Sequence, residues 1–144
     1  MRALTLAAVA ILLAAPATAC QVGGATTGSL GVLPSANVYG SDTGGLPAVL
    51  TITDALQPAY HVSVTAPSIT AAGVGFNMSG AVAEIAYTAI GTGVSFTQDF
   101  TSAASGFDAP AFAAAVVMTF QSRIVSPSGF TTGGYGTRVT VTCS

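Results

Sequence analysis

From Cys20 onward, hydrophobic and polar positions alternate in short runs that are separated by Gly, Pro, Ser and Asp. In the run YHVSVT, Tyr60, Val62 and Val64 fall on one side and the polar residues fall on the other. Residues two apart share one face of a β-strand. Many short alternating runs with turn residues between them predict an all-β domain, either a sandwich or a barrel.

Further runs show the same period of two, namely EIAYTAI, VSFTQDF, AFAAAVVMTFQSRI and the final strand RVTVTCS. Their predicted inward-facing residues are Ile85, Tyr87, Ala89, Val94, Phe96, Phe100, Phe112, Val116, Met118, Phe120, Ile124, Val139, Val141 and Cys143. Two weaker runs, SLGVL and PAVLTIT, predict earlier strands, and the second contains Leu50 and Ile52. The segments TTGSLG, YGSDTGG, SPSGFTTGG and TSAASGFDAP are predicted loops by composition.

Residues 1–19 have the features of a signal peptide. Arg2 precedes an apolar stretch, and the small residues Ala17 and Ala19 form a small-x-small cleavage signature. We therefore expect export across an inner membrane, with residues 20–144 forming one domain. The alternative is a lipoprotein signal, because Cys20 directly follows the predicted cut. Against it, Ala17 occupies the position where lipoprotein signals usually have leucine.

The charge of the exported chain is low and negative. It contains two arginines, no lysine and five acidic residues, which gives a net charge of −3. Nucleic-acid binding requires clustered Lys and Arg, so this class of partner is excluded, as is a basic membrane-binding surface. Charged residues make up 6% of the chain, against about 25% in typical domains. Such a neutral surface is common in secreted β proteins that pack into assemblies, and it also occurs in secreted monomers.

No catalytic motif is present, and the chain contains neither a P-loop nor a G-x-S-x-G or H-E-x-x-H segment. His61 is the single histidine and is predicted on the outward face of a strand. Asp99 and Asp108 flank a Ser/Ala/Gly segment and are interpreted as turn-forming residues. We therefore predict a protein that is not an enzyme, with no catalytic residue, no cofactor and no metal site.

Cys20 and Cys143 are the two cysteines of the chain. An even number of cysteines in an exported protein favours a disulfide. Closing so long a loop contributes about 4 to 5 kcal/mol in the chain-entropy model. Lipidation of Cys20 and an intermolecular bond are the alternatives.

Three segments together resemble the spore coat protein U domain family, the subunits of archaic chaperone–usher pili. They are CQVGG with the following GSLGVL, the central GFNMSGAVAEIAYTAI, and the final VVMTFQSRIVSPSGFTTGGYGTRVTVTCS. The resemblance implies an immunoglobulin-like antiparallel β-sandwich that lacks one strand, with a hydrophobic groove between the first and last strands. A periplasmic chaperone fills that groove first. At an outer-membrane usher, the N-terminal extension of the next subunit then replaces the chaperone.

Carried onto this chain, the resemblance places Leu30 and Val32 on the first strand of the groove, and Val139 and Val141 on the last. It implies a structural or adhesive pilus subunit, exposed on the cell surface or in a pilus, whose partners are a chaperone, an usher and other pilin subunits. Three features depart from the family. The acidic residue that often follows the Gly-x-Tyr of the family is missing, because Gly136 and Thr137 follow Tyr135. No cysteine occurs near Ile52, where the family has its second one, and the predicted cut leaves no donor extension before Cys20. The alternative is a stand-alone secreted or lipid-anchored β-sandwich that binds through its loops.

A disulfide between Cys20 and Cys143 constrains such a groove. Two strands that flank a vacant position lie two spacings apart, nearly 10 Å, whereas a disulfide tolerates Cα atoms at most about 7 Å apart. The bond therefore predicts that the N-terminal segment lies beside the last strand, and that the groove is closed or narrowed at that end.

Overall fold

The computed structural model of the protein describes residues 20–31, 37–53 and 58–144. Within these ranges all regular structure is β-strand and every pair of strands is antiparallel, which confirms the predicted fold class. No helix in the described ranges has the length and apolarity needed to span a membrane. The predicted signal peptide (1–19) and the groove candidate Val32 lie outside the described residues.

The strands of the described ranges are β1 (Gln21–Thr26), β2 (Val38–Gly40), β3 (Ala48–Thr53), β4 (Tyr60–Val64), β5 (Ser68–Ala71), β6 (Val82–Gly91), β7 (Val94–Thr101), β8 (Ser105–Ala109), β9 (Ala115–Val125), β10 (Gly136–Arg138) and β11 (Val141–Cys143).

The first sheet has the order β1-β3-β9-β6-β7. Its centre is the pairing of β6 with β9, which runs from Val82 opposite Val125 to Gly91 opposite Val116. Along the other edge of β9, β3 pairs with residues 115–120 and β2 pairs with residues 123–125. The two long central strands are the two with the strongest alternation of β-branched or aromatic residues, which suits a half-buried pleated surface.

The second layer consists of two short ladders placed end to end, β11-β4-β8 and β10-β5. The segments 136–143 and 60–71 run antiparallel along both ladders, and Thr65 N–H donates to the Thr140 carbonyl at 2.9 Å between them. Pro67 lies in the interruption between β4 and β5. Proline has no N–H to donate, which explains why the ladder breaks there.

The core lies between the two layers. Val62, Val64 and Phe107 contribute from the second layer, and Tyr87 and Met118 contribute from the first. The inward faces predicted for β4, β6 and β9 are confirmed, because Tyr60, Val62, Val64, Ile85, Tyr87, Ala89, Val116, Met118, Phe120 and Ile124 are all buried. Phe96 of β7 stacks on Phe107 of β8 with ring centroids 5.2 Å apart, which closes one long side of the sandwich.

The prediction for Phe100 is wrong because β7 contains a β-bulge. Ile85 pairs with Thr101 and Tyr87 pairs with Gln98, so two residues of β7 lie opposite Ala86. A bulge shifts the alternation of side chains by one residue. Phe100 consequently lies on the outer face of the sheet, where the Arg123 guanidinium carbon is 3.9 Å from its ring centre.

The prediction that Phe112 continues the inward face of β9 is also wrong. Phe112 precedes the strand in a turn with a positive φ of 66°, and it is 69% exposed. The Ala113 N–H donates to the Pro110 carbonyl at 3.3 Å in this turn. As a result Ala113, rather than Phe112, is buried in the core.

Several short strands differ from the predictions. The described part of SLGVL is not a strand, since Ser29 forms only an isolated bridge with Leu46, and the first strand is β1. Two segments predicted as loops contain strands, namely β2 and β8. β1 and β8 are rich in Gly, Ala and Ser, and β2 has only three residues, so their sequences have little periodic signal.

Candidate functional site: an open groove between the first and last strands

The long side of the sandwich opposite β7 and β8 is open. Within the described residues, β1 pairs only with β3, β10 only with β5, and β11 only with β4. Between these two edges lies a groove with a volume of about 700 Å³. Ala25 and Leu30 line it from the N-terminal side, and Val139 and Val141 line it from the C-terminal side. We call this feature the seam groove.

The floor of the seam groove is the hydrophobic core itself. Leu50 of β3, Ile85 of β6 and Phe120 of β9 all line it. Among the described residues, the partly buried hydrophobic residues that pack against the core lie mostly in this lining (Ala48, Leu50, Val139 and Val141) or at the adjoining disulfide (Cys20 and Cys143), with Phe96 as the exception. The core is therefore least covered along this one side.

The main chain of the last strand presents hydrogen-bonding groups to the groove. The N–H and C=O of Thr140 and of Ser144 point toward β4, because they bond Thr65 and His61. Hydrogen-bonding direction alternates along an antiparallel edge. The N–H and C=O of Val139 and Val141 therefore point away from β4, while their side chains pack against the core.

The structure places three of the four sequence-derived groove candidates, Leu30, Val139 and Val141, in the lining of the seam groove. Leu46 also lines the groove and is 66% exposed, but no periodic pattern marks it. It reaches the groove because Ser29 and Leu46 exchange two main-chain hydrogen bonds, of 2.9 and 3.0 Å. These bonds hold the 28–31 segment against the loop that precedes β3.

A disulfide joins Cys20 and Cys143, with Cα atoms 5.9 Å apart, as the pair of cysteines predicts. The bond links the residue that precedes β1 to the last residue of β11, and so it ties the first sheet to the second layer. At this end the two rims of the seam groove are side by side, as predicted. They are joined through sulfur and not through main-chain pairing, because β1 pairs with β3 and β11 pairs with β4.

The opposite end of the seam groove is bordered by an aromatic cluster of Tyr39, Phe76, Phe130 and Tyr135. Tyr39 and Tyr135 line the groove, and their ring centroids are 5.3 Å apart. The Tyr135 hydroxyl donates to the Thr131 carbonyl at 2.8 Å and accepts from the Thr131 N–H at 2.9 Å. These two hydrogen bonds close the 131–135 loop at this end of the groove.

Hydroxyl groups lie in the lining near this aromatic end. Ser41 donates to the Gln121 side-chain oxygen at 2.6 Å and accepts from the Ser122 N–H at 2.9 Å. The Ser122 and Thr137 hydroxyls are hydrogen-bonded to each other, which connects β9 of the first sheet to β10 of the second layer. The groove thus changes from apolar near the disulfide to hydroxyl-lined near Tyr135.

The lining of the seam groove is almost free of charge. Arg138, which is exposed, is the one charged residue among the described residues that line it. The other arginine of the described residues, Arg123, lies on the outer face, where its Nε donates to Glu84 Oε2 at 2.6 Å. The groove is consequently suited to an uncharged occupant.

His61 and Asp108 form a second cluster, on the outer face of the second layer. His61 Nδ1 lies 2.7 Å from Asp108 Oδ1, across the pairing of β4 with β8. Their side chains are 48% and 89% exposed. Asp108 and Asp99 both lie in strands, so the interpretation of these two residues as turn-forming is wrong. No group of three or more potential metal ligands occurs among the described residues.

In comparisons with known proteins, no family model matches the chain, and neither a curated protein nor a solved structure matches it significantly.

Proposed function

We propose that the protein is a structural or adhesive subunit of the pilus type, which associates with its partners by accepting a β-strand into the seam groove. The observation that carries this proposal is a pair of strand edges, β1 and β10–β11, that have no partner strand among the described residues and that flank a stretch of core which the described residues leave uncovered. An occupant in this position would be held on both sides by main-chain hydrogen bonds.

The physical basis is β-augmentation. Unpaired edges attract additional strands, and proteins normally shield them with charges, prolines or covering loops. The groove-facing edge of β10–β11 has Arg138 as its one charge and contains no proline. A donated strand would satisfy the main-chain groups of Val139 and Val141 and would cover the half-buried Leu50. Each square ångström of apolar surface that it covers contributes about 25 cal/mol.

The resemblance to spore coat protein U domains supports the same reading, since it implies a groove between the first and last strands. Under this proposal the strand donors are a periplasmic chaperone and other pilin subunits, assembled at an outer-membrane usher, and the mature subunit lies on the cell surface. The disulfide disfavours the lipid-anchored alternative, because Cys20 Sγ is bonded to Cys143 and has no thiol for an acyl group.

The test uses a matched pair of variants. Leu46 lines the groove at 66% exposure, and Ile90 lies outside it, in β6, at 62% exposure. Leu46→Lys places a charge in the groove, whereas Ile90→Lys places the same charge at an equally exposed apolar position elsewhere. Neither side chain is buried, so both variants are expected to fold.

The probe is a fluorescent, end-capped eight-residue peptide in which valine alternates with threonine, and binding is measured by anisotropy. We expect the wild type and Ile90→Lys to bind equally, and Leu46→Lys to bind at least tenfold more weakly. Hydrogen exchange should show protection of the Val139 and Val141 amides when the peptide is bound. Absence of binding to the wild type, or equal binding by all three proteins, would refute strand acceptance.

A further inference from the structure

The two ends of the seam groove differ in a way that limits what can enter it. At the disulfide end the Cα atoms of the two rims are 5.9 Å apart. A strand that passes between two others needs two spacings, about 9.6 Å between the flanking strands. No polypeptide can therefore continue between the rims past Cys20 and Cys143 while it remains paired with both.

The lining agrees with this limit. On the N-terminal side, Ala25 to Leu30 line the groove, whereas the first residues of β1, from Gln21 to Gly24, do not. On the other side the lining extends from Gly134 to Val141 and stops before Cys143. The segment from Gly134 to Val141 has room alongside it for an extended strand of about eight residues, roughly 26 Å at 3.3 Å per residue.

We propose, on the basis of the proposed strand-acceptor function, that the seam groove is closed at its disulfide end. It therefore accepts the terminus of a partner polypeptide rather than an internal segment. The terminal strand enters from the Tyr135 end, and its last residue lies against the disulfide. A partner whose chain continues straight beyond the strand is excluded.

The lining also defines the chemistry of this terminal strand. Near the disulfide the lining is apolar, with Leu50, Val139 and Val141. Near the open end the lining carries the hydroxyl groups of Ser41, Ser122 and Tyr135. The strand is therefore uncharged, with small apolar side chains at alternate positions toward its inserted terminus and a hydroxyl or amide side chain near the open end.

The direction of the strand is left to experiment, because the two rims run in opposite directions. β1 leads away from the disulfide, and β11 leads into it. An inserted strand is parallel to one rim and antiparallel to the other in either orientation. In either orientation, one terminus of the inserted strand lies against the disulfide, and the chain cannot continue beyond it.

The experiment compares three peptides on the oxidised wild-type protein by anisotropy. They are the capped eight-residue valine–threonine peptide, the same peptide with four prolines added at its N-terminus, and the same peptide with four prolines added at its C-terminus. Polyproline is stiff and extended, so it cannot fold back from the end of the groove. We expect one extended peptide to bind within twofold of the parent, and the other to bind at least tenfold more weakly.

The double variant Cys20→Ala with Cys143→Ala, checked for folding by circular dichroism, should restore the excluded peptide to within about threefold of the parent. Equal binding of all three peptides to the wild type would refute the claim that the groove is closed at the disulfide, but it would still support strand acceptance. Loss of binding by both proline-extended peptides would refute the claim that the groove is open at the Tyr135 end. Failure of the parent peptide itself would instead refute the proposed function. If the folded double variant still excludes the same peptide, the disulfide is not the obstruction.

Discussion

The guanidinium carbon of Arg123 lies 3.9 Å from the centre of the Phe100 ring, and its Nε donates to Glu84 Oε2 at 2.6 Å. Both contacts lie on the outer face of the first sheet, and the Arg123 and Glu84 side chains are 30% and 24% exposed. The β-bulge in β7 is what brings Phe100 to this face. One arginine thus connects three neighbouring strands, β6, β7 and β9.

Replacement of Arg123 should therefore destabilise the sandwich. We expect Arg123→Met to lower the free energy of unfolding by about 2 kcal/mol, because it leaves the half-buried Glu84 carboxylate unpaired and removes the cation from the ring. A double-mutant cycle with Phe100→Leu should give a coupling of about 0.5 to 1 kcal/mol for the ring contact. Urea denaturation measures both quantities, and a coupling of zero would show that the stacking contributes nothing.

Removal of the disulfide should have a larger effect. We expect Cys20→Ser with Cys143→Ser to lose about 4 to 5 kcal/mol of unfolding free energy, because the unfolded chain regains the entropy of a long loop. The wild type in dithiothreitol should unfold at the same urea concentration as the double variant. A loss below about 1 kcal/mol would contradict the chain-entropy estimate.

The hydroxyl of Tyr135 should stabilise the aromatic end of the groove. Tyr135→Phe removes both hydrogen bonds to the Thr131 main chain and should cost about 1 to 2 kcal/mol. Thr131→Val removes only the hydroxyl that lies 3.1 Å from Tyr135 OH and should cost less than half as much. Thermal unfolding of the two variants distinguishes them, and the reverse order would show that the main-chain bonds are unimportant.

A stabilising substitution is expected at Phe112, which has a φ of 66° and is 69% exposed. Phe112→Asn should raise the free energy of unfolding by about 0.5 to 1 kcal/mol, because asparagine tolerates the left-handed region and little packing is lost. Phe112→Val should be destabilising, since a β-branched residue is poorly accommodated at positive φ. If both variants have the same stability, backbone strain does not act at this position.

The sequence predicted the long strands because their residues repeat with a period of two and alternate large apolar side chains with polar ones. It did not predict β2, β5 or β8, which are only three to five residues long, so a period of two is not evident in them and pairing with a neighbour creates the strand. The positions of Phe100 and Phe112 depend on a bulge and on a tight turn. A period of two in the sequence indicates neither the β-bulge nor the tight turn.

The candidate site was predictable in part. The pair of cysteines indicated the disulfide, and the resemblance gave the rims of the groove through Leu30, Val139 and Val141. Leu46 was missed because it lies outside the periodic runs and is brought to the groove by its pairing with Ser29. The floor residues Ile85 and Phe120 were predicted only as core, since a sequence cannot show on which side a core is left uncovered.

The disulfide also determines how the domain would respond to tension. A force applied to the chain at Cys20 and at Cys143 would pass through a covalent bond between atoms that are already adjacent. The disulfide would carry this force, and the hydrogen-bonded ladders of the sandwich would not be loaded. The sandwich between the two cysteines would then keep its length under that force, because the disulfide would carry the load.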